Sequence, residues 1–386
     1  MASDTPEPLV QLADISGRGR ALIASKAIFA GQILLQDTPI LLYPAAPHKN
    51  LSSSFCSHCF RSLPIPNPNS ATLCCPSCSN FALFCSPECH SIALASSHSQ
   101  WVCKALGLLR SSNPSSELQT QANFLLGAYN LAEISPDDFN MLLSLQGEGT
   151  LDGETQMLHS FISAVMAEFP LKSFSRFSVE LTAALLARDK RNAFGLMENS
   201  KECGERMVRA YGIYPRASFF NHDCLPNACR YFHGVPNTKF DYIDKPGDGN
   251  NDIIIRALHD IAEGKEICLS YFPVNWKFAD RQKRLLEDYG FVCECDRCIV
   301  EKTWREDDEE EDEKMALENE EEEQEFPHAY FFVRYLCPNE ECGGTVAPLP
   351  PSQGTPSNIM ECNVCGQLRT EEEFNGDEDE DDMVDD

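Results

Sequence analysis

A mixed α+β fold rich in bound zinc is predicted from three observations. Short β-prone runs occupy residues 9–42 and recur after residue 226, and a helix-patterned stretch fills 104–210 between them. Nineteen cysteines fall mostly into close pairs, and the first residues, acidic and broken by prolines, do not read as a secretory leader. Close pairs suit tetrahedral zinc, whereas disulfides belong to secreted chains. At 386 residues there is enough chain for two or three domains with cores of their own.

The formal net charge of −29 is concentrated in two places. Residues 301–325 carry 15 acidic and 3 basic side chains, and residues 371–386 carry 11 acidic and no basic ones. Together they account for −23 and leave −6 for the remainder. The body is therefore only mildly acidic and offers no basic face for direct nucleic-acid binding. The tracts read as a solvated linker and tail, or as attractants for a basic partner that salt would screen. No apolar run approaches the roughly 20 residues of a membrane helix, so a soluble, intracellular protein without membrane contact is expected.

In the N-terminal part, strands are expected at 9–12, 21–24, 33–36 and 40–42. Ser16-Gly17-Arg18-Gly19-Arg20 joins the first two, either as a plain hairpin turn or as a glycine turn that lets backbone approach a ligand. Residues 56–103 then run Cys56-x2-Cys59-x15-Cys75-x2-Cys78-x6-Cys85-x3-Cys89-x8-His98-x4-Cys103. Eight soft donors suit two tetrahedral zinc ions, and so short a segment needs them for much of its folding energy. Cys74 competes with Cys75 for one position, and His90 reads as a surface residue.

Residues 104–210 read as helical. Leu118, Ala122, Leu125, Leu126 and Tyr129 share one face, and Ser135-Pro136-Asp137-Asp138 starts a second helix. A third helix is expected over 154–168 and a fourth over 176–191, with Phe177, Leu181, Ala184 and Leu185 inward. Asn192-Ala193-Phe194 ends the run.

Asn221-His222-Asp223-Cys224-Leu225-Pro226-Asn227 is the densest stretch chemically, setting amide, imidazole, carboxylate and thiol side by side. Strands are expected at 228–232, 252–258 and 266–271, with a loop at 246–251. An amphipathic helix over 277–289 would keep Phe278, Leu285 and Leu286 apolar and Arg281, Lys283 and Arg284 charged. Cys293, Cys295 and Cys298 are one donor short of a tetrahedral zinc, and Cys224 is the unassigned thiol that completes it. Cys337, Cys342, Cys362 and Cys365 form another complete set, with Gly343-Gly344 and Gly366 after the pairs as in zinc ribbons. Cys74, Cys203, Cys229 and Cys268 remain as structural thiols.

The central stretch resembles the Asn-His-Ser/x-Cys-x-Pro-Asn signature of the SET domain, and the cysteine order in 56–103 resembles the cross-braced MYND zinc finger. Over residues 8–300 the layout is similar to that of the SET-and-MYND (SMYD-type) protein-lysine methyltransferases, in particular a compact plant group of ASH-related histone-lysine methyltransferases. The resemblance implies an α+β SET fold of small curved sheets with a pseudoknot. It divides the chain into an N-terminal SET part (1–48), an inserted MYND finger (49–103), a helical insert (104–210), core SET (211–275), post-SET (276–300), an acidic linker (301–328), a ribbon (329–370) and an acidic tail (371–386). One MYND zinc would take Cys56, Cys59, Cys85 and Cys89, and the other Cys75, Cys78, His98 and Cys103.

The implied cofactor is S-adenosylmethionine, beside three structural zinc ions and a fourth in the ribbon. By resemblance Gly17, Arg18 and Gly19 run along its methionine part, Asn221 and His222 hold its amine and adenine, and Phe291 covers the adenine. Asn192 and Ser218 line the cofactor and target-lysine region, Tyr271 is the catalytic tyrosine beside the cofactor, and Phe194 and Tyr289 wall the lysine channel. Asp223 replaces the usual serine.

The implied substrate is a protein lysine, in histones or elsewhere. The alternative is a catalytically weak adaptor that recruits proline-rich peptides through MYND. A monomer in the nucleus and on chromatin, with a cytoplasmic pool, is the implied setting. The residue types suit methyl transfer: a lysine amine with an ordinary pKa of about 10.4 must lose its proton. Aromatic walls favour the neutral amine by desolvation, and alignment with fixed dipoles supplies the rate.

Overall fold

The structure is a computed structural model that describes residues 8–45, 54–63, 73–78, 82–112, 114–172, 177–198, 207–232, 251–303, 328–339, 342–352 and 354–370. The acidic tail, the acidic tract beyond residue 303, Cys203 and the expected loop at 246–250 lie outside the described residues. The chain divides into two units: Met1–Gln36, Phe219–Tyr231 and Ile254–Asp386 form the first, and Asp37–Ser218 with Phe232–Ile253 the second. No helix among the described residues is long and apolar enough to cross a membrane.

The first unit begins with an antiparallel hairpin of Val10–Ile15 and Gly19–Ala24, in which Val10 faces Ala24 and Ile15 faces Gly19. Its turn requires glycine: Gly17 and Gly19 hold φ of 78° and 72°, which side chains with a Cβ resist. Ile33–Asp37, Ala228–Phe232 and Ile253–Ala257 form a three-stranded sheet with the 253–257 strand in the middle. The strand expected over 266–271 shortens to Cys268–Leu269, because Glu266 bridges back to Ile23 and the N–H of Ile267 donates to Leu22. Cys268–Leu269 pairs in parallel with Asn221–His222, which draws Tyr271 up to the central motif.

The helix expected over 277–289 forms as Phe278–Arg284 and continues as a π-helical turn, Leu285–Tyr289, closed by Gly290 at φ 79°. Its expected facing is wrong at two positions. Arg281 is fully buried and Leu286 is 56% exposed. The inversion has an electrostatic cause, since Arg281 turns inward to pair with Glu301 and to donate to the carbonyl of Trp276.

Beyond the described gap, a short helix that the sequence reading missed, Ala329–Tyr335, leads into three antiparallel strands: Val346–Pro348, Ile359–Cys362 and Leu368–Thr370. This C-terminal piece packs onto the rest of its unit through a buried ion pair, Arg256 Nη1 to Glu361 Oε2 at 3.0 Å. The Arg256 guanidinium also stacks on the Tyr231 ring at 3.9 Å, and the Tyr231 hydroxyl donates to the carbonyl of Glu361 at 2.8 Å.

The second unit is built on helices Pro87–Ala95, Gln100–Ser112, Ser116–Ile134, Pro136–Ser144, Gly153–Met166 and Val179–Asn192. Ser115, Asp152 and Ser178 cap three of them by accepting backbone N–H groups. Ala122, Leu125, Leu126 and Tyr129 point into a core shared with Leu158, Ile162, Val165 and Leu185, as their spacing predicts.

Residues 104–210 are not helical throughout. Ala193–Glu198 and Met207–Ile213 form a bulged antiparallel pair, with Leu41–Pro44 on the far side of the latter. The helix stops at Asn192, whose side-chain amide donates to the carbonyls of Arg188 and Gln146. Past it, the strand Leu41–Pro44 needs a ladder partner, and Met207–Ile213 supplies one.

Candidate active site

Everything in the central motif is tied down by short polar contacts. Glu266 is the hub: one carboxylate oxygen accepts from Asn221 Nδ2 at 2.8 Å and the other pairs with Arg18 Nε at 2.8 Å. Arg18 Nη2 also donates to the carbonyl of His222 at 2.9 Å. The glycine turn and the Asn-His pair, about two hundred residues apart in sequence, are thus one assembly. Asn227 adds a second tie, donating to the carbonyl of Glu266 and accepting from the N–H of Cys268, both at 2.8 Å. Glu266 was missed at the sequence level; its only signal was a lone acid in the β-prone run before Tyr271.

His222 is buried, and burial pushes its pKa down to about 3, so the ring is neutral. Nδ1 accepts the N–H of Tyr271 at 3.2 Å, which leaves the proton on Nε2, 3.3 Å from the sulfur of Cys224. Both ring nitrogens therefore serve the chain itself, and a ligand would meet the ring face. Tyr271 is held at its other end by its hydroxyl, which donates to the carbonyl of Phe220 at 3.0 Å. Burial raises its phenol well above the ordinary range, so it stays protonated at physiological pH. The Tyr271 and Tyr289 rings lie 4.7 Å apart, tilted by 42°. Phe291, 38% exposed, presents its ring 6.4 Å from that of His222.

Asp223 proves to be a loop brace. Its Oδ1 accepts the N–H of Leu225 at 2.8 Å and its own N–H donates to Leu269 at 3.0 Å. Burial pushes its carboxyl up to about 7.

The predicted metal ligands come together as four sets, each with its donor atoms within 4.8 Å of one another: Cys56/Cys59/Cys85/Cys89, Cys75/Cys78/His98/Cys103, Cys224/Cys293/Cys295/Cys298 and Cys337/Cys342/Cys362/Cys365. A zinc–sulfur bond of about 2.3 Å puts tetrahedral sulfurs about 3.8 Å apart. The observed separations match: 3.6 Å for Cys59–Cys85, 3.8 Å for Cys75–Cys103, 3.5 Å for Cys224–Cys298 and 3.7 Å for Cys337–Cys365. No sulfur pair among the described residues is a disulfide. Cys74 is exposed, outside its neighbour's set, and not the structural thiol expected of it. His90 is half-buried and packs on Phe84 at 4.9 Å.

A buried charge cluster surrounds the Cys224 set. Arg297 pairs with Glu301 at 2.6 Å and donates to the carbonyls of Val274 at 2.6 Å and Cys224 at 3.5 Å. Arg281, paired with the same Glu301, reaches Cys298 Sγ at 3.9 Å. Four thiolates would outweigh one Zn²⁺ held there, and the two guanidiniums nearby would offset the surplus negative charge.

Asn192, Phe194 and Ser218 belong to the second unit. Asn192 is buried with its amide engaged as described, Phe194 meets Tyr214 edge-on at 5.6 Å, and Ser218 Oγ donates to the carbonyl of Tyr214 at 2.9 Å.

Comparison with known proteins completes the picture. Residues 19–272 match the family model described as SET domain. Histone-lysine N-methyltransferase ASHR2 of Arabidopsis thaliana is 49% identical over 408 residues, covering 95% of this chain and 97% of that protein. Histone-lysine N-methyltransferase ASHR1 of the same plant is 23% identical over 367 residues, covering 94% of this chain and 65% of its own length. The crystal structure of the SET domain of LSMT bound to lysine and AdoHcy aligns over 75% of this chain and 54% of that chain, at 15% identity and a TM-score of 0.31, a likeness too loose to argue from.

Proposed function

The chain belongs to the SET-domain family, and from that premise we propose that it is an S-adenosylmethionine-dependent protein-lysine N-methyltransferase acting on histone lysine. The observation that carries this reading is Tyr271, fixed at its N–H by His222 and at its hydroxyl by the carbonyl of Phe220. Because the phenol proton is engaged with that carbonyl, the phenol lone pairs are what face a substrate. They would accept a hydrogen bond from the lysine amine and hold its own lone pair in line. Remaining protonated, Tyr271 orients and does not abstract a proton.

The residues fit the cofactor. A Cβ added at Gly17 or Gly19 would meet nothing within 4 Å, so bare backbone faces open space, with Asn221 Nδ2 3.5 Å from the carbonyl of Arg18. Gly17, Arg18, Gly19, Asn221 and the ring faces of His222 and Phe291 would hold the group. When bound, S-adenosylmethionine supplies an electrophilic methyl carried on a sulfonium. Tyr289 would wall the lysine channel and exclude water, lowering the cost of a neutral amine.

All four ligand sets are assigned to structural zinc, none to chemistry. Residues 49–103 are read as an inserted MYND finger offering a surface for proline-rich peptides, and 329–370 as a ribbon. The setting is a monomer in the nucleus, in keeping with a histone substrate.

Calorimetry with S-adenosylmethionine tests the reading. The intact chain should bind, Asn221→Ala should not, and Tyr271→Phe should bind normally yet methylate histones about 100-fold more slowly. No binding by the intact chain would end the enzyme reading; binding without transfer to any histone or lysate protein would leave an adaptor.

A further inference from the structure

Arg297 spends the edge of its guanidinium on the surroundings of Cys224. Nε pairs with Glu301 at 2.6 Å, Nη1 donates to the carbonyls of Val274 at 2.6 Å and Cys224 at 3.5 Å, and Nη2 donates to that of Trp276 at 3.3 Å. The loop that carries Val274 and Trp276 follows directly on Tyr271. Its Phe272 ring lies 4.7 Å from that of His222 and stacks on Trp276 at 5.3 Å, 2° from parallel. Arg297 thus clamps a loop that rests on the imidazole a cofactor would meet.

The flat face of the same guanidinium meets a ring from outside the cluster. Phe332, on the helix Ala329–Tyr335 that leads into the ribbon, sets its ring centroid 4.6 Å from Arg297 Cζ. A guanidinium is weakly hydrated and stacks on aromatic faces, whose quadrupole attracts it. The ribbon touches the loop a second time. Gly343 turns at φ 53°, and a Cβ added there would come 3.2 Å from Asn275 Oδ1 and 3.4 Å from Pro273 Cβ, so its backbone lies against Pro273 and Asn275. The two contacts flank a pair of predicted metal ligands: Phe332 precedes Cys337, and Gly343 follows Cys342. An ion held by Cys337, Cys342, Cys362 and Cys365 would fix the two contacts relative to each other.

Resting on the methyltransferase reading, we propose that the C-terminal ribbon is a positioning element of the cofactor site, in which Phe332 on Arg297 and Gly343 on Pro273 and Asn275 make cofactor affinity depend on metal in the ribbon. Without the ring, the buried guanidinium loses the contacts on its face and gains room to swing. The carbonyls of Val274, Trp276 and Cys224 then lack a fixed donor, and a ligand on His222 must first order the loop beneath it. The coupling is reciprocal, so cofactor should in turn tighten the ribbon's hold on its ion.

The test compares the intact chain with Phe332→Leu, which keeps an apolar side chain, and Phe332→Tyr, which keeps the ring. Calorimetry with S-adenosylmethionine should find the affinity of Phe332→Leu lower by about tenfold and that of Phe332→Tyr unchanged, with equal zinc in all three by elemental analysis. Cys365→Ser removes the half-buried ligand of the ribbon set; it should lose one zinc and about as much affinity, with its helical circular dichroism intact. Full affinity in Phe332→Leu, equal losses in the leucine and tyrosine variants, or full affinity in Cys365→Ser without its ribbon zinc overturns the proposal.

A second readout needs no cofactor. When zinc is transferred to a chromogenic chelator, the phase missing from Cys298→Ser reports the Cys224 set. Phe332→Leu should release that zinc about tenfold faster than the intact chain or Phe332→Tyr. Identical release from all three overturns the hold of the ribbon on Arg297. Faster release from a chain that binds no cofactor would sustain that hold and sink only the methyltransferase reading.

Discussion

The loop around Asn221 in the first unit and the helical part of the second are stabilised by opposite means. The helical part buries long apolar faces, with Phe124, Leu125, Leu142 and Ile162 all at 0% exposure. The loop around Asn221 has almost no regular structure: a two-residue parallel strand pair, one short helix and a π-helical turn. Its order comes from the gathered Cys224, Cys293, Cys295 and Cys298 set, the Arg281–Glu301–Arg297 cluster and the Glu266 hub. Apolar packing tolerates modest change because its energy is spread over many contacts. A metal and ion-pair lattice concentrates its energy in few atoms, so removing one partner leaves a buried charge exposed to a low dielectric. The lesson is that the loop trades robustness for placement of polar groups where a ligand needs them.

The largest effect should come from breaking the lattice. Cys298→Ser removes one ligand of the Cys224 set, and elemental analysis should find one zinc fewer per chain. Cofactor affinity should drop at least about 100-fold, since folding energy and metal binding are the same quantity at such sites. The helical circular dichroism should barely change. A variant that loses the zinc yet binds cofactor normally would break the contrast, because His222 and Asn221 would then be ordered without the metal.

The reverse substitution comes next. Leu125→Ala empties part of a fully buried position in the helical core and should destabilise the protein by about 2–5 kcal/mol in urea unfolding. Its zinc content and, well below the unfolding transition, its cofactor affinity should match those of the intact chain. Coupled losses of stability and affinity would mean that the two regions do not fail independently.

The same contrast governs what could be read from sequence. Helix periodicity located Ser116–Ile134, Gly153–Met166 and Val179–Asn192, because each buries one face. In the loop, periodicity failed and chemistry succeeded: Cys224 was matched to Cys293, Cys295 and Cys298 by counting ligands, and the structure gathers those four thiols. The misses share one cause. Arg281 and Glu266 are charged residues whose positions depend on partners elsewhere along the chain, and amphipathic patterning assigns any charge to solvent. The strand Met207–Ile213 was lost for a related reason, since its pairing with Leu41–Pro44 is non-local.

One residue pair crosses the contrast and gives the smallest effect. Asp189 lies in the second unit, where Tyr43 from the strand Leu41–Pro44 hydrogen-bonds its carboxyl and Tyr211 stacks on Tyr43 at 5.6 Å. Burial pushes the Asp189 carboxyl up from 3.8 to about 7, the Tyr43 hydroxyl opposing it only in part. Because the folded value exceeds the unfolded one, the native state holds a proton that the unfolded state has released between those pH values. Stability from this group is therefore complete below about pH 4, declines as the pH rises through about 7, and is flat beyond. A full shift would cost about 1.4 kcal/mol per unit, but Asp189 keeps part of its surface in solvent, so a decline of about 1–2 kcal/mol between pH 5 and 8 is expected. Asp189→Asn keeps the hydrogen bond from Tyr43 and has no proton to lose, so this portion of the pH dependence should vanish from its urea-unfolding curves. If the two proteins lose stability in parallel over that range, the acid is not its source, and the helical part is as free of electrostatic tuning as its apolar core suggests.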